Sequence, residues 1–224
     1  MRAGASPARR SFPPAPYLPP RADPTRDLTA DPARLFFITH PEVVIEPEVP
    51  VPDWSLSSQG WLRMRACLKQ PWVAGLKSLW CSTERKAKDG AAVLAAHLEL
   101  DVHERADLGE NDRSATGFLP PEEFQQVADQ FFANPEESVR GWERAVDAQA
   151  RIVQAVRDVD ATAAEGDLAV VAHGGVGALL MAHAMDVAIS RRYDQPFGGG
   201  GCWFALERGS GRLLGPWERI DVHE

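Results

Sequence analysis

The chain has 224 residues, of which 44% are hydrophobic and 25% are charged, and its formal net charge is -8 at pH 7. These values predict a protein with one sizeable globular core. They exclude nucleic-acid binding through a broad basic surface, although a local cationic pocket for a small anion is compatible with them. No apolar run has the length of a membrane span, so we expect no membrane contact.

The first 33 residues contain eight prolines and few large apolar side chains. Such a segment buries too little surface to offset the entropy lost on ordering, so residues 1–33 are predicted to be a disordered tail. Residues 34–224 are predicted to form one domain.

From Arg34 onward, β-prone apolar runs alternate with segments of helical periodicity. This alternation predicts a three-layer α/β/α fold with a mostly parallel central sheet. A proline-rich excursion from Pro41 to Pro52 follows the first strand. The predicted strands cover 35–39, 78–81, 100–103, 168–172, 202–206 and 212–217, the last two joined as a hairpin, and the predicted helices cover 58–68, 86–98, 138–160 and 174–185, with another beginning at Pro121.

Two histidines follow predicted strands: His40 ends one apolar run and His173 ends another. Ligands of parallel α/β sheets bind beyond the carboxyl ends of the strands, so both imidazoles are expected in one crevice. Gly174 and Gly175 come next and open a predicted helix, whose amino terminus favours an anion such as phosphate.

Five segments carry a family resemblance in their order and spacing: Thr39-His40-Pro41-Glu42, Leu56-Ser57-Ser58-Gln59-Gly60, Cys81-Ser82-Thr83-Glu84-Arg85-Lys86, Leu108-Gly109-Glu110 and Ala172-His173-Gly174-Gly175. Together they resemble the histidine phosphatase superfamily, also called the phosphoglycerate mutase-like family, whose corresponding motifs read R-H-G, S-x-x-x-R-A, L-x-E and H-G. The resemblance covers residue 34 to the C-terminus. It implies a phosphoglycerate mutase-like fold.

The resemblance also implies roles for individual residues. His40 would be the nucleophile, Glu110 the proton donor and His173 a second imidazole on the phosphoryl group. Arg85 would be a phosphate ligand, and Gly174 would lie at the phosphate-binding helix terminus. The chemistry suits these residues, because an imidazole forms a phosphohistidine and a guanidinium matches phosphate oxygens.

Thr39 and Pro41 depart from the R-H-G motif and remove a guanidinium and a backbone N–H. Losing one hydrogen-bond donor to the transition state typically raises the activation free energy by about 3 kcal/mol. Arg113 is the first candidate substitute, and Arg63 and Arg65 are further ones. Without a guanidinium at position 39, His40 is also expected to protonate more readily than in the family.

We therefore expect a cytoplasmic phosphomonoester hydrolase that acts on a small phosphorylated metabolite. The alternatives are a phosphoglycerate or phosphosugar mutase of the same family and a catalytically weak protein that binds a phosphorylated ligand or a protein partner. No cofactor or metal is expected, because the three cysteines are widely spaced and the histidines lack ligand-like spacing. The sequence makes no prediction of oligomeric state.

Overall fold

The computed structural model describes residues 32–222. The predicted tail therefore lies outside the described residues except for its last two positions. The central sheet has six strands: β1 (Arg34–Thr39), β2 (Leu76–Ser82), β3 (Val102–Arg105), β4 (Asp167–Ala172), β5 (Cys202–Glu207) and β6 (Glu218–Arg219). Their order across the sheet is β3-β2-β4-β1-β5-β6. The first four strands are mutually parallel and β5 runs antiparallel to β1, which confirms a mostly parallel sheet.

The two faces of the sheet carry separate apolar layers, as the alternation of side chains along β1 requires. Leu35 and Phe37 belong to one buried cluster, and Phe36 and Ile38 belong to the other. Helices therefore cover both faces, and the predicted three-layer α/β/α fold is confirmed. The five helices are α1 (Ser58–Cys67), α2 (Arg85–Leu98), α3 (Pro121–Ala133), α4 (Ala145–Thr162) and α5 (Gly174–Ala184). Within residues 32–222, no helix is long and apolar enough to cross a bilayer.

Several predicted boundaries differ from the structure, most clearly the starts of β3 and of the long helix. Strand β3 begins two residues later than expected, at Val102. The long helix begins at Ala145 rather than Ser138, because Arg140 has a positive φ of 51° and Trp142 is extended. Each conformation interrupts the helical backbone.

The predicted hairpin strand over 212–217 forms only in part. Glu207 N–H donates to the carbonyl of Arg212, but pairing is limited to one bridge between Leu206 and Leu213. Pro216 has no N–H to extend the ladder. Trp217 turns into the core instead, where its indole donates to the carbonyl of Tyr193 at 2.8 Å.

The buried guanidinium of Arg63 holds three loops together. Its side chain, only 4% exposed, donates to Asp221 and Glu42, each at 3.1 Å, and to the carbonyl of Gly201, also at 3.1 Å. A Cβ at Gly201 would lie 2.6 Å from the guanidinium, so only glycine fits there. Arg63 is therefore a structural residue of this fold.

We expect Arg63→Met to destabilise the protein by about 2 kcal/mol, because Glu42 and the buried carbonyl of Gly201 lose their charged donor, whereas Asp221 keeps its ion pair with Arg219. Arg65→Met, on the exposed side of the same helix, should change stability by less than about 0.5 kcal/mol. Urea unfolding monitored by circular dichroism measures both values. Equal midpoint shifts for the two variants would contradict this role of Arg63.

Candidate active site

The parallel pairing of β1 with β4 brings the two predicted histidines together. Thr39 lies opposite Ala172 in this register, and His40 N–H donates to the carbonyl of Ala172 at 3.1 Å. His40 follows Thr39 and His173 follows Ala172, so both histidines reach the same crevice. The imidazole centroids of His40 and His173 are 5.2 Å apart, with an interplanar angle of 67°.

The backbone fixes the tautomer of His40. Its Nδ1 lies 2.8 Å from the carbonyl oxygen of Pro41. A carbonyl only accepts hydrogen bonds, so in the neutral ring Nδ1 carries the proton and Nε2 keeps its lone pair. The ring is thus arranged with an unprotonated Nε2, the form that a nucleophilic imidazole requires.

His173 is completely buried and has one polar atom without a partner. Its Nε2 lies 2.8 Å from Ser82 Oγ and 3.3 Å from Glu84 Oε1. Its Nδ1 has no hydrogen-bond partner among the described residues. A buried ring nitrogen in this state is costly unless a further group satisfies it.

Both imidazoles are neutral over the ordinary pH range. Burial, followed by the charge of Lys86, lowers the pKa of His40 to about 4. Burial lowers the pKa of His173 to about 3. The expectation that His40 protonates more readily was therefore wrong, because burial and the Lys86 ammonium outweigh the loss of a guanidinium at position 39.

The predicted phosphate ligand Arg85 does not reach the crevice. Its side chain is 59% exposed and forms an ion pair with Asp89 at 2.7 Å. Lys86 is buried instead and lines a cavity together with His40. The S-x-x-x-R-A motif, aligned on Ser82 and Ala87, places Lys86 at the arginine position, so the sequence prediction was in error by one residue.

Glu84 is a site residue that sequence reasoning missed. Its Oε1 accepts the amide hydrogen of Glu110 at 2.8 Å, and its other oxygen forms an ion pair with Lys86. Burial by itself raises the pKa of Glu84, but the Lys86 ammonium beside it and the Glu110 amide that donates to it outweigh burial and hold the pKa below its usual range. An ionised carboxylate therefore lies beside His173.

The carboxylate of Glu110 caps the amino terminus of α5. It accepts hydrogen bonds from the amides of Gly175 at 3.1 Å and Val176 at 3.0 Å. A Cβ at Gly175 would lie 2.7 Å from Glu110 Oε1, which explains the second glycine. This helix terminus, where the sequence predicted an external anion beside Gly174, already binds an anionic side chain of the protein.

The buried hydroxyl of Thr39 orients Gln195, a second residue that sequence reasoning missed. Thr39 Oγ1 accepts the amide hydrogen of Cys202 at 2.9 Å and donates to Gln195 Oε1 at 2.8 Å. The side-chain NH₂ of Gln195 lies 2.5 Å from the position that a Cβ on Gly174 would occupy. Thr39 thus uses its only proton within the protein, and the amide of Gln195 lies beside the start of α5.

A cavity of about 260 Å³ opens beside His40. Lys86 and Arg113 line it, so the structure brings Arg113, the first candidate substitute cation, to the crevice. Its guanidinium lies 3.5 Å from Glu110 Oε2 and stacks on Phe124, with Cζ 5.1 Å from the ring centroid. Among the described residues, no group of three or more His, Cys, Asp and Glu side chains could hold a metal ion.

The sequence matches the family model of the histidine phosphatase superfamily, branch 1, over residues 36–213. Comparison with curated proteins gives no match.

Solved structures share the fold at low sequence identity. A mycobacterial glucosyl-3-phosphoglycerate phosphatase in complex with inorganic phosphate is 21% identical, with a TM-score of 0.69 over 85% of this chain and 100% of that chain. YhfR of Bacillus stearothermophilus is 22% identical, with a TM-score of 0.69 over 85% and 98% of the two chains. The α-ribazole phosphatase of Shigella flexneri is 16% identical, with a TM-score of 0.61 over 85% and 100%.

We expect His40 to titrate with a pKa of about 4 in an NMR titration of the imidazole resonances. Lys86→Met should raise this pKa, because it removes a nearby positive charge. Arg85→Met is the matched control and should leave the pKa unchanged, because Arg85 is exposed and paired with Asp89. A wild-type value near the unperturbed value of about 6.5 would contradict this description of the site.

Proposed function

Because this chain belongs to the histidine phosphatase superfamily, we propose that it hydrolyses phosphomonoesters through a phosphohistidine on His40. The observation that carries the proposal is the hydrogen bond from His40 Nδ1 to the carbonyl of Pro41 at 2.8 Å. It leaves the Nε2 lone pair available beside a second imidazole and a cavity. The substrate would be a small phosphorylated metabolite, consistent with the phosphatases that share the fold.

In the first step, Nε2 of His40 attacks phosphorus, the N–P bond forms and the bond from phosphorus to the leaving oxygen breaks. The Pro41 carbonyl stabilises the positive charge that develops on the ring, because Nδ1–H continues to donate to it. In the second step, water attacks phosphorus and the N–P bond breaks. Inorganic phosphate leaves and the neutral imidazole is restored. Covalent catalysis thus divides one difficult displacement into two easier ones.

Positive charge and hydrogen-bond donors around the phosphoryl group would come from residues outside the family pattern. Lys86 and Arg113 line the cavity at His40 and supply the charge. The NH₂ group of Gln195, oriented by Thr39, would supply a donor in place of the missing guanidinium. Fixed donors of this kind stabilise the charge of the transition state.

His173 would donate to a phosphoryl oxygen through Nδ1, its unpartnered atom. This role needs the tautomer with a proton on Nδ1, in which the Ser82 hydroxyl donates to Nε2. Ser82 is able to do so, because its oxygen already accepts the amide hydrogen of Glu84 at 3.1 Å. Both ring nitrogens would then have a partner, although the Glu84 carboxylate at 3.3 Å from Nε2 opposes this tautomer.

Glu110 is our candidate for protonating the leaving oxygen. It would take up a proton from solvent and deliver it as the bond to phosphorus breaks. Its carboxylate also accepts hydrogen bonds from the amides of Gly175 and Val176, which hold it at the start of α5 beside the crevice.

A protein that binds a phosphorylated ligand without turnover is the second candidate. Two features favour it: Thr39 and Lys86 stand where the family motifs have arginines, and the ionised Glu84 lies beside His173. A nearby carboxylate repels a phosphate dianion. We favour the enzyme because the ring of His40 is held in its nucleophilic tautomer.

We expect turnover of p-nitrophenyl phosphate in the presence of a chelator, since the imidazole and the cationic side chains supply the chemistry. His40→Asn should lower kcat/KM by about 10³-fold or more, as loss of a nucleophile does in other covalent enzymes. His97→Asn, a change at an exposed position of α2, should retain wild-type activity. The release of p-nitrophenol measures the activity of wild type, His40→Asn and His97→Asn.

Equal rates for wild type and His40→Asn would contradict the proposal. Binding of the ester by calorimetry without any turnover would favour the second candidate instead.

A further inference from the structure

We infer that the substrate is an aryl phosphomonoester, with its phosphoryl group at His40 and its aromatic ring in the adjoining 260 Å³ cavity. This inference rests on the proposed function and specifies the organic part of the molecule.

Most of the side chains that line the cavity are apolar. Val43, Val51 and Trp54 come from the β1–α1 loop, Phe118 and Leu119 come from the segment that leads into α3, and Phe124 belongs to α3. Trp54 donates its indole N–H to the carbonyls of Glu46 and Val49, each at 3.0 Å, so its polar atom is already satisfied. The rings of Trp54 and Phe118 lie 5.8 Å apart and tilted by 54°, and such aromatic surfaces favour ring contacts.

The polar chemistry of the wall is sparse. Among residues 32–222, the lining has one polar side chain besides His40, Lys86, Arg113 and the indole of Trp54, namely the neutral amide of Gln125, and it has no hydroxyl or carboxylate side chain. A sugar or glycerol moiety would bury several hydroxyl groups there with too few partners, at a cost of about 1–3 kcal/mol for each unsatisfied group. The wall therefore disfavours polyols.

The volume matches a single substituted ring. An apolar cavity of about 150 Å³ accommodates benzene in another protein. A cavity of 260 Å³ therefore holds a ring with one or two substituents, whereas a large conjugate would extend into solvent.

The charges fix the orientation of such a ligand. His40, Lys86 and Arg113 belong to the same lining, and the Lys86 ammonium donates to the carbonyl of Val51 at 2.9 Å. The amine is thus fastened to the loop that forms part of the apolar wall. A phosphorylated ring placed with its phosphate at these cations puts its apolar part against Trp54 and Phe118.

The carboxylates beside the crevice are engaged with groups of the protein, which favours a leaving group that departs without much protonation. Glu84 has its pKa held below its usual range and pairs with Lys86. Glu110 accepts hydrogen bonds from two amides of α5. A phenol has a pKa of about 10, whereas an aliphatic alcohol resembles water, at about 15.7. A phenolate therefore leaves phosphorus with much less help from an acid.

The first test compares kcat/KM for phenyl phosphate, benzyl phosphate and glycerol 3-phosphate on the full-length protein. We expect kcat/KM for phenyl phosphate to exceed that for glycerol 3-phosphate by about 100-fold or more. Benzyl phosphate should lie between them, because its ring makes the same apolar contacts but its alkoxide is a poor leaving group. Equal values for phenyl phosphate and glycerol 3-phosphate would overturn the inference and leave the proposed hydrolase intact.

The second test measures binding separately from turnover with phenylphosphonate and methylphosphonate, whose C–P bonds resist hydrolysis. Phenylphosphonate should bind at least about tenfold more tightly by calorimetry, and Phe118→Ala should remove most of this difference. Val44→Ala is the control, since Val44 is exposed on the same loop as Val43 but does not line the cavity.

Equal affinities for the two phosphonates would overturn the inference. A preference for phenylphosphonate without turnover of any ester would support the aryl site and contradict the proposed function instead.

Discussion

The site depends on the parallel pairing of β1 with β4. Thr39 opposite Ala172 is the last pair of this ladder, and the two histidines follow directly. A parallel pair leaves both carboxyl ends at one edge, so one register places two imidazole rings 5.2 Å apart without a dedicated loop. Burial at this edge then keeps both rings neutral. Position and protonation state thus have the same structural origin.

The crevice combines positive and negative side chains. Lys86 is paired with Glu84, and Arg113 lies near Glu110. A phosphate dianion therefore meets cations whose charge is partly compensated by carboxylates. The weaker electrostatic attraction makes the organic part of the ligand more important for affinity, and the cavity beside His40 provides an apolar surface for it. The apolar wall of the cavity thus compensates for the weak attraction between the paired cations and a phosphate dianion.

Much of the fold could be predicted from the sequence because the β1 and β4 runs, the proline at the start of α3 and the serine that caps α1 act locally. The two errors have different causes. Pro216 lies within the predicted last strand and is a local signal against it that the prediction did not weigh. The late start of the long helix, after the turn around Arg140, has no such signal, because Arg140 adopts its positive φ without a glycine.

In the candidate site, too, some residues could be predicted from the sequence and others could not. His40 and His173 follow strands, so their convergence could be predicted. Arg85 and Lys86 are adjacent basic residues, and only burial distinguishes the exposed one from the one in the crevice. Gln195 lies 156 positions from Thr39 along the chain and follows no motif, so a contact of this kind cannot be read from spacing.

Trapping of a covalent phosphoenzyme tests the central claim most directly. The protein is mixed with phenyl phosphate for a short time and quenched in alkali, which preserves the N–P bond, and the phosphorylated peptide is then identified by mass spectrometry. We expect a phosphoryl group on the peptide that contains His40 and none in His40→Asn. Turnover without any phosphorylated histidine, or with the label on another residue, would contradict this claim.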